Sequence, residues 1–104
     1  MININFKPGV QLYTPTVGIN PMTLKAMVVA SEIYNRYGSV LTVTSVFDGK
    51  HMKGSKHYRG LAFDCRTNCL SDKQLESIYK DLTASLHPTY DVILEKDHFH
   101  IETH

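Results

Sequence analysis

Apolar residues recur along this chain with two different periods. From Met22 to Tyr37 no Gly or Pro interrupts the sequence, and Leu24, Met27, Val28, Ile33 and Tyr34 can supply one buried helical face. Asn20 suits the N-cap of that helix, Pro21 its first helical position and Gly38 its stop. A second helix is expected after its cap Ser71, with Asp72 favourably close to the positive end of the helix dipole. There Leu75, Ile78, Tyr79, Leu82 and Leu86 fall at offsets of 3, 4, 7 and 11, one apolar stripe, before His87-Pro88 ends the run.

The other segments read as strands and turns. Ser39 to Phe47 is rich in β-branched residues and bounded by Gly38 and Asp48-Gly49, which predicts a strand. A loop rich in Gly, Lys and His runs from Asp48 to about Gly60, and Leu61 to Asp64 then reads as a short buried strand. Tyr90 to Leu94 and His98 to Thr103 form a hairpin with Lys96-Asp97 near its turn. The first 19 residues, with Pro8, Gly9, Pro15 and Gly18, read as extended chain with turns. Together these elements predict an α+β fold: a small, mostly antiparallel sheet with two main helices packed against it, in a single domain over residues 1–104.

Composition narrows the function classes. The 104 residues carry a formal charge of +1, which argues against nucleic-acid binding through a strong overall field. No apolar run approaches the roughly 20 residues of a membrane span, and MININFKPGVQ lacks the pattern of a secretion signal. Cys65 and Cys69 are expected to stay reduced, and no second Cys pair exists to complete a structural zinc site with them. Six histidines, three of them within the last seven residues, are out of proportion.

Two stretches gather those histidines with carboxylates. The first is SKHYRGLAFD, residues 55–64; the second is EKDHFHIE, residues 95–102. On a strand alternate side chains share a face, so His98, His100 and Glu102 project together. A turn at Gly60 would bring His57 and Asp64 to the same place. Two His and one Asp around an open fourth position is the donor set of a catalytic zinc, with Asp97 and Glu95 as candidate bases. The bland alternative is a solvated edge strand with ordinary surface histidines. His51, His87 and His104 have no matching partner in the sequence, and the series Lys50, Lys53, Lys56 and Arg59 reads as a solvated loop.

Ser55, His57, Gly60, Ala62 and Asp64 satisfy every fixed position of S-x-H-x-x-G-x-A-x-D, and DHFHIE follows downstream. Together they resemble the M15 family of zinc peptidases, within the wider group of D-Ala-D-Ala carboxypeptidases, lysostaphin-type enzymes and hedgehog domains. The resemblance spans about Val40 to Glu102, and lacks the Trp that often precedes the final His in that family. It implies zinc held by His57, Asp64 and a third ligand from His98 or His100, of which His100 is chosen, with Asp97 as the leading base, Glu95 in reserve and His98 as a transition-state helper. Ser55 and Arg59 would orient a substrate carboxylate. The implied activity is hydrolysis of an amide bond in peptidoglycan peptides, as in a phage-type lytic enzyme. The alternative is a zinc-stabilised binding or structural module of the same fold that no longer turns over.

Overall fold

The computed structural model describes residues 2–48, 51 and 53–104, so Gly49 and Lys50 of the expected turn and lysine series lie outside the described residues. In chain order the elements are β1 (Ile4–Phe6), α1 (Pro21–Arg36), β2 (Leu41–Ser45), β3 (Ala62–Arg66), α2 (Asp72–Leu86), β4 (Tyr90–Leu94) and β5 (His98–Thr103). One 3₁₀ turn, Lys56–Arg59, precedes β3. The strands form one sheet in the order β1-β2-β3-β5-β4. The fold class is α+β and the sheet mostly antiparallel, as expected, with one parallel pairing at its edge. Residues read as extended chain with turns supply β1, which pairs parallel to β2 through Ile4–Leu41 and Phe6–Val43. A three-residue edge strand is too short to carry a readable alternation.

Helix ends follow their sequence signals. The Asn20 side chain accepts from the Met22 amide at 2.8 Å, and Pro21 opens α1. Ser71 and Gln74 form a reciprocal capping box at α2, which satisfies two amide donors left without helical partners. The buried stripe of α1 keeps Met27, Ile33 and Tyr34 of the expected face but leaves Leu24 outside. It runs through Thr23, Ala26, Met27, Ala30, Ser31, Ile33 and Tyr34, while Leu24 is 42% exposed. One residue turns roughly 100° around a helix, so a stripe centred on Thr23, Ala30 and Tyr34 excludes Leu24. Small side chains at Ala26, Ala30 and Ser31 take the inner positions, where they add little bulk between helix and sheet.

Both helices contribute to a core shared with one face of the sheet. Met27, Tyr34, Ile78 and Leu82 pack there with Val43, Phe63, Phe99 and Ile101. Along β5 the burial alternates: Phe99, Ile101 and Thr103 are buried, and the intervening His98, His100 and Glu102 are partly open. The antiparallel register sets Asp64 beside His100 and Arg66 beside His98. Side chains opposite one another in such a pair share a face, so these four stand on the side away from the helices. Cys65 faces the core next to Tyr34, where burial pushes its thiol up to about 12. Cys69 is an exposed free thiol.

Gly60 joins the two halves of the first motif. It ends the 3₁₀ turn in a left-handed conformation, φ 68°. Its carbonyl accepts from the Asn20 amide at 3.0 Å and from Thr23 Oγ1 at 2.8 Å, which pins the motif to the start of α1. A Cβ at this position would lie 2.8 Å from the Gly18 carbonyl oxygen and 2.9 Å from Phe47 Cζ. Gly60→Ala is therefore expected to cost about 2 kcal/mol or more, from backbone strain plus steric overlap. Gly54→Ala, also at positive φ but with nothing within 4 Å of the new Cβ, should cost about 1–2 kcal/mol. Denaturant unfolding of the two variants measures the difference, and equal losses would show that close packing at Gly60 contributes nothing.

Candidate metal centre

Three elements bring the motif residues together. The 3₁₀ turn delivers His57, with Ser55 as its cap: Ser55 Oγ accepts from the His57 amide at 3.2 Å. Strand β3 delivers Asp64, and β5 delivers His100 directly across the register. Their donor atoms form a small triangle. His57 Nε2 lies 3.1 Å from Asp64 Oδ1 and 3.2 Å from His100 Nδ1, and His100 Nδ1 lies 3.0 Å from Asp64 Oδ1. Ligand atoms around tetrahedral zinc stand about 3.3 Å apart, given bonds of roughly 2.0–2.1 Å. The triangle is thus close to ligand spacing.

Hydrogen bonds outside the triangle decide what faces inward. His57 Nδ1 is 2.7 Å from the Val46 carbonyl, which can only accept, so Nδ1 holds the proton and neutral His57 presents a bare Nε2. His100 Nε2 is 2.8 Å from Glu102 Oε1, so it donates there and leaves Nδ1 bare. Glu102 stays an acceptor: burial favours its neutral form, but hydrogen bonds from His100 and Lys56 hold the carboxyl below its ordinary value. With both imidazoles neutral, three lone pairs converge and no proton separates them. Such a site attracts a cation.

The same convergence governs protonation. Burial alone would raise the Asp64 carboxyl, yet hydrogen bonds from His100 and His57, with the charge of nearby imidazoles, hold it well below the carboxylate range. The hydrogen bond to Asp64 raises His100 above its ordinary value; burial opposes this and Glu102 adds to it. In the metal-free protein a proton takes the place a cation would hold.

His51 is the residue that sequence reasoning missed. Read as ordinary because nothing in the sequence pairs with it, it stacks face to face on His57, with centroids 3.8 Å apart and planes within 6°. Its Nε2 lies 2.8 Å from the Asp48 carbonyl and 3.1 Å from Ser45 Oγ, and its amide donates to Tyr58 Oη at 2.8 Å. His51, His57 and Asp64 each offer a ligand atom within 4.8 Å of one another, so this group can hold a metal ion. His51 sits in an irregular loop, where no period marks it; only its spacing of six residues before His57 was visible.

The other expected site residues divide. Glu95 and His98 line a cleft of about 760 Å³ together with His57, Asp64 and His100. His98 Nε2 lies 3.6 Å from Glu95 Oε1 and 3.8 Å from Asp64 Oδ2. Asp97, expected as the leading base, does not line this cleft. It sits behind His98, with Oδ1 2.7 Å from His98 Nδ1, and that hydrogen bond lowers its carboxyl. Glu95 and Asp97 stand two apart at the turn between β4 and β5, and the path of that turn puts only Glu95 on this cleft.

Ser55 also lines the cleft, although its hydroxyl caps the 3₁₀ turn; Arg59 is exposed and outside it. Lys56 is more than a loop lysine, since Nζ donates to the Thr103 carbonyl at 2.6 Å and meets Glu102 Oε2 at 3.3 Å. His104 pairs with Asp91 at 2.9 Å. No helix among the described residues is long and apolar enough to cross a membrane. No family model, curated protein or solved structure matches the chain.

Asp64 and His100 bracket the pH behaviour of the metal-free protein, and the other lowered carboxyls, Asp97 and Glu102 among them, act in the same sense as Asp64. Asp64, with its folded value depressed, contributes stability above the unfolded value of about 3.9, lost as pH falls through the folded value. His100, with its folded value raised, contributes fully below about 6.5 and loses that contribution as pH rises through the folded value. The metal-free melting temperature should therefore be highest between about pH 4 and 6.5. Metal binding requires bare nitrogens, so added zinc should stabilise more at pH 8 than at pH 5. Scanning calorimetry in chelator and in zinc measures both. A metal-free melting temperature that rises between pH 6 and 8 would contradict the His100 assignment.

Proposed function

We propose that the protein is a zinc-dependent hydrolase of an amide bond, acting on peptidoglycan peptides. The triangle of His57 Nε2, Asp64 Oδ1 and His100 Nδ1 carries this reading, because three inward lone pairs beside an open cleft match a catalytic donor set. His100 is preferred over His51 as the third ligand. The His51 and His57 rings lie in nearly parallel planes, and an ion in the plane of one lies off the plane of the other. His51 instead backs His57. The likeness of residues 55–64 and 97–102 to the M15 zinc peptidases supports the reading from the motif residues alone.

Bound zinc would polarise the substrate carbonyl and lower the pKa of a water towards ~7. Glu95, on the cleft wall and 49% exposed, is the base in this reading. It takes a proton as the water oxygen adds to the carbonyl carbon, and returns it to the amide nitrogen as the C–N bond breaks. Asp97 holds His98 through Nδ1, so that the Nε2 edge faces the cleft; in its protonated form that edge donates to the developing oxyanion. Asp97 is thus a positioning residue here, and Glu95 moves from reserve to first choice.

Zinc content and release of new amino termini from cell-wall preparations test the proposal together. Wild type should hold about one zinc and lose activity in chelator. His100→Ala should lose the metal, while His98→Ala and Glu95→Gln keep it. Glu95→Gln should lower kcat by about 10²–10⁴, and Asp97→Asn by roughly tenfold. A larger loss in Asp97→Asn would return the base to Asp97. Full zinc occupancy with no new amino termini from varied walls would leave a non-catalytic zinc module.

A further inference from the structure

A second, smaller cleft of about 330 Å³ lies beyond His98, which lines both clefts. Its floor is a row running across the sheet. Arg66 stands beside His98 in the β3–β5 register, and Thr44 of β2 lines the same hollow. Lys7 follows β1, its amide tied to the Val43 carbonyl at 2.9 Å, and completes the row. Asn68 and Asp97 close the rim.

The charges in this hollow are unbalanced. Lys7 and Arg66 each bring a positive charge, while the one carboxylate, Asp97, is already bonded to His98. Among the described residues neither cation has an ion-pair or hydrogen-bond partner for its side chain. Lys56, by contrast, is held by Glu102. A guanidinium and an ammonium over polar Thr44 and Asn68 suit a carboxylate, which takes the Arg fork in two hydrogen bonds.

The geometry points to a subsite here for a carboxylate of the peptide whose bond is cut at the metal centre, with Arg66 and Lys7 as its anchors. This rests on the hydrolase reading above and adds what the substrate must carry. Arg66 and His98 lie two residues along their strands from Asp64 and His100, a step of roughly 7 Å. Extended peptide covers roughly 3.3–3.6 Å per residue, so the carboxylate belongs about two backbone positions from the scissile carbonyl. A C-terminal carboxylate and an acidic side chain both meet that requirement.

The test reads binding rather than turnover. Zinc-loaded protein is titrated with synthetic peptidoglycan stem peptides, in which each carboxylate in turn is replaced by carboxamide. The Arg66 Nε–H resonance, assigned by its loss in Arg66→Gln, is followed alongside affinity. The free acid should bind roughly ten- to a hundred-fold tighter than one of the amides and shift the Arg66 signal. The amide that loses affinity identifies which carboxylate is held. Arg66→Gln and Lys7→Gln should each shrink that preference with zinc content unchanged. Equal binding of acid and amides overturns the subsite. So does a preference that survives Arg66→Gln, or one that leaves the Arg66 signal unmoved, because the carboxylate would then sit on the metal. An intact preference without any cleavage would sink the hydrolase reading and leave the subsite standing.

Discussion

Three acceptor atoms within 3.2 Å of one another repel unless a proton or a cation sits between them. Everything around the site serves to hold it. The Val46 carbonyl fixes the His57 tautomer and Glu102 fixes that of His100. Lys56 in turn holds Glu102 ionised. Remove one outer partner and an imidazole can turn a proton inward, which satisfies the cluster and spoils it as a cation site.

The fold supplies that rigidity by using each strand twice. Phe99 and Ile101 anchor β5 in the core, so His98, His100 and Glu102 between them cannot shift register without exposing those side chains. On β3, Phe63 and Cys65 do the same for Asp64. The third corner cannot be made this way, because His57 comes from a loop. Its position is fixed by Gly60, whose left-handed turn and doubly bonded carbonyl tie the motif to the start of α1. The N-terminal third, which carries none of the motif, is therefore part of the support of the site.

This division of labour explains what could be read in the sequence. Periodicity of two over His98 to Thr103 places three site residues on one face, and the same rule needs only a short apolar strand to place Asp64. The capping residues Asn20 and Ser71 announce their helices chemically. Features that depend on how a turn or loop folds back were hidden. Asp97 and Glu95 are two apart beside a turn, and only the path of that turn decides which one enters the cleft. His51 meets His57 through a loop, and β1 pairs with β2 across the whole of α1. Leu24 stays outside because the inner stripe of α1 uses the small residues Ala26, Ala30 and Ser31, which hydrophobicity alone does not mark.

Net charge says nothing of how charges are arranged. A value of +1 argues only against a strong overall field. On the sheet face opposite the helices Asp64, Glu95 and Glu102 gather around the histidines with Lys53 and Lys56 beside them, and Lys7 and Arg66 lie beyond His98 with Asp97. Fields at a site are set by groups a few ångströms away, since water and salt screen the rest. Acidic and basic regions can therefore act separately while cancelling in the sum. His98 stands at their boundary, bonded to Asp97, with Arg66 beside it in the register and its Nε2 turned towards Asp64 and Glu95. A group bound in either cleft meets that one ring, the side chain that the two halves of the face share.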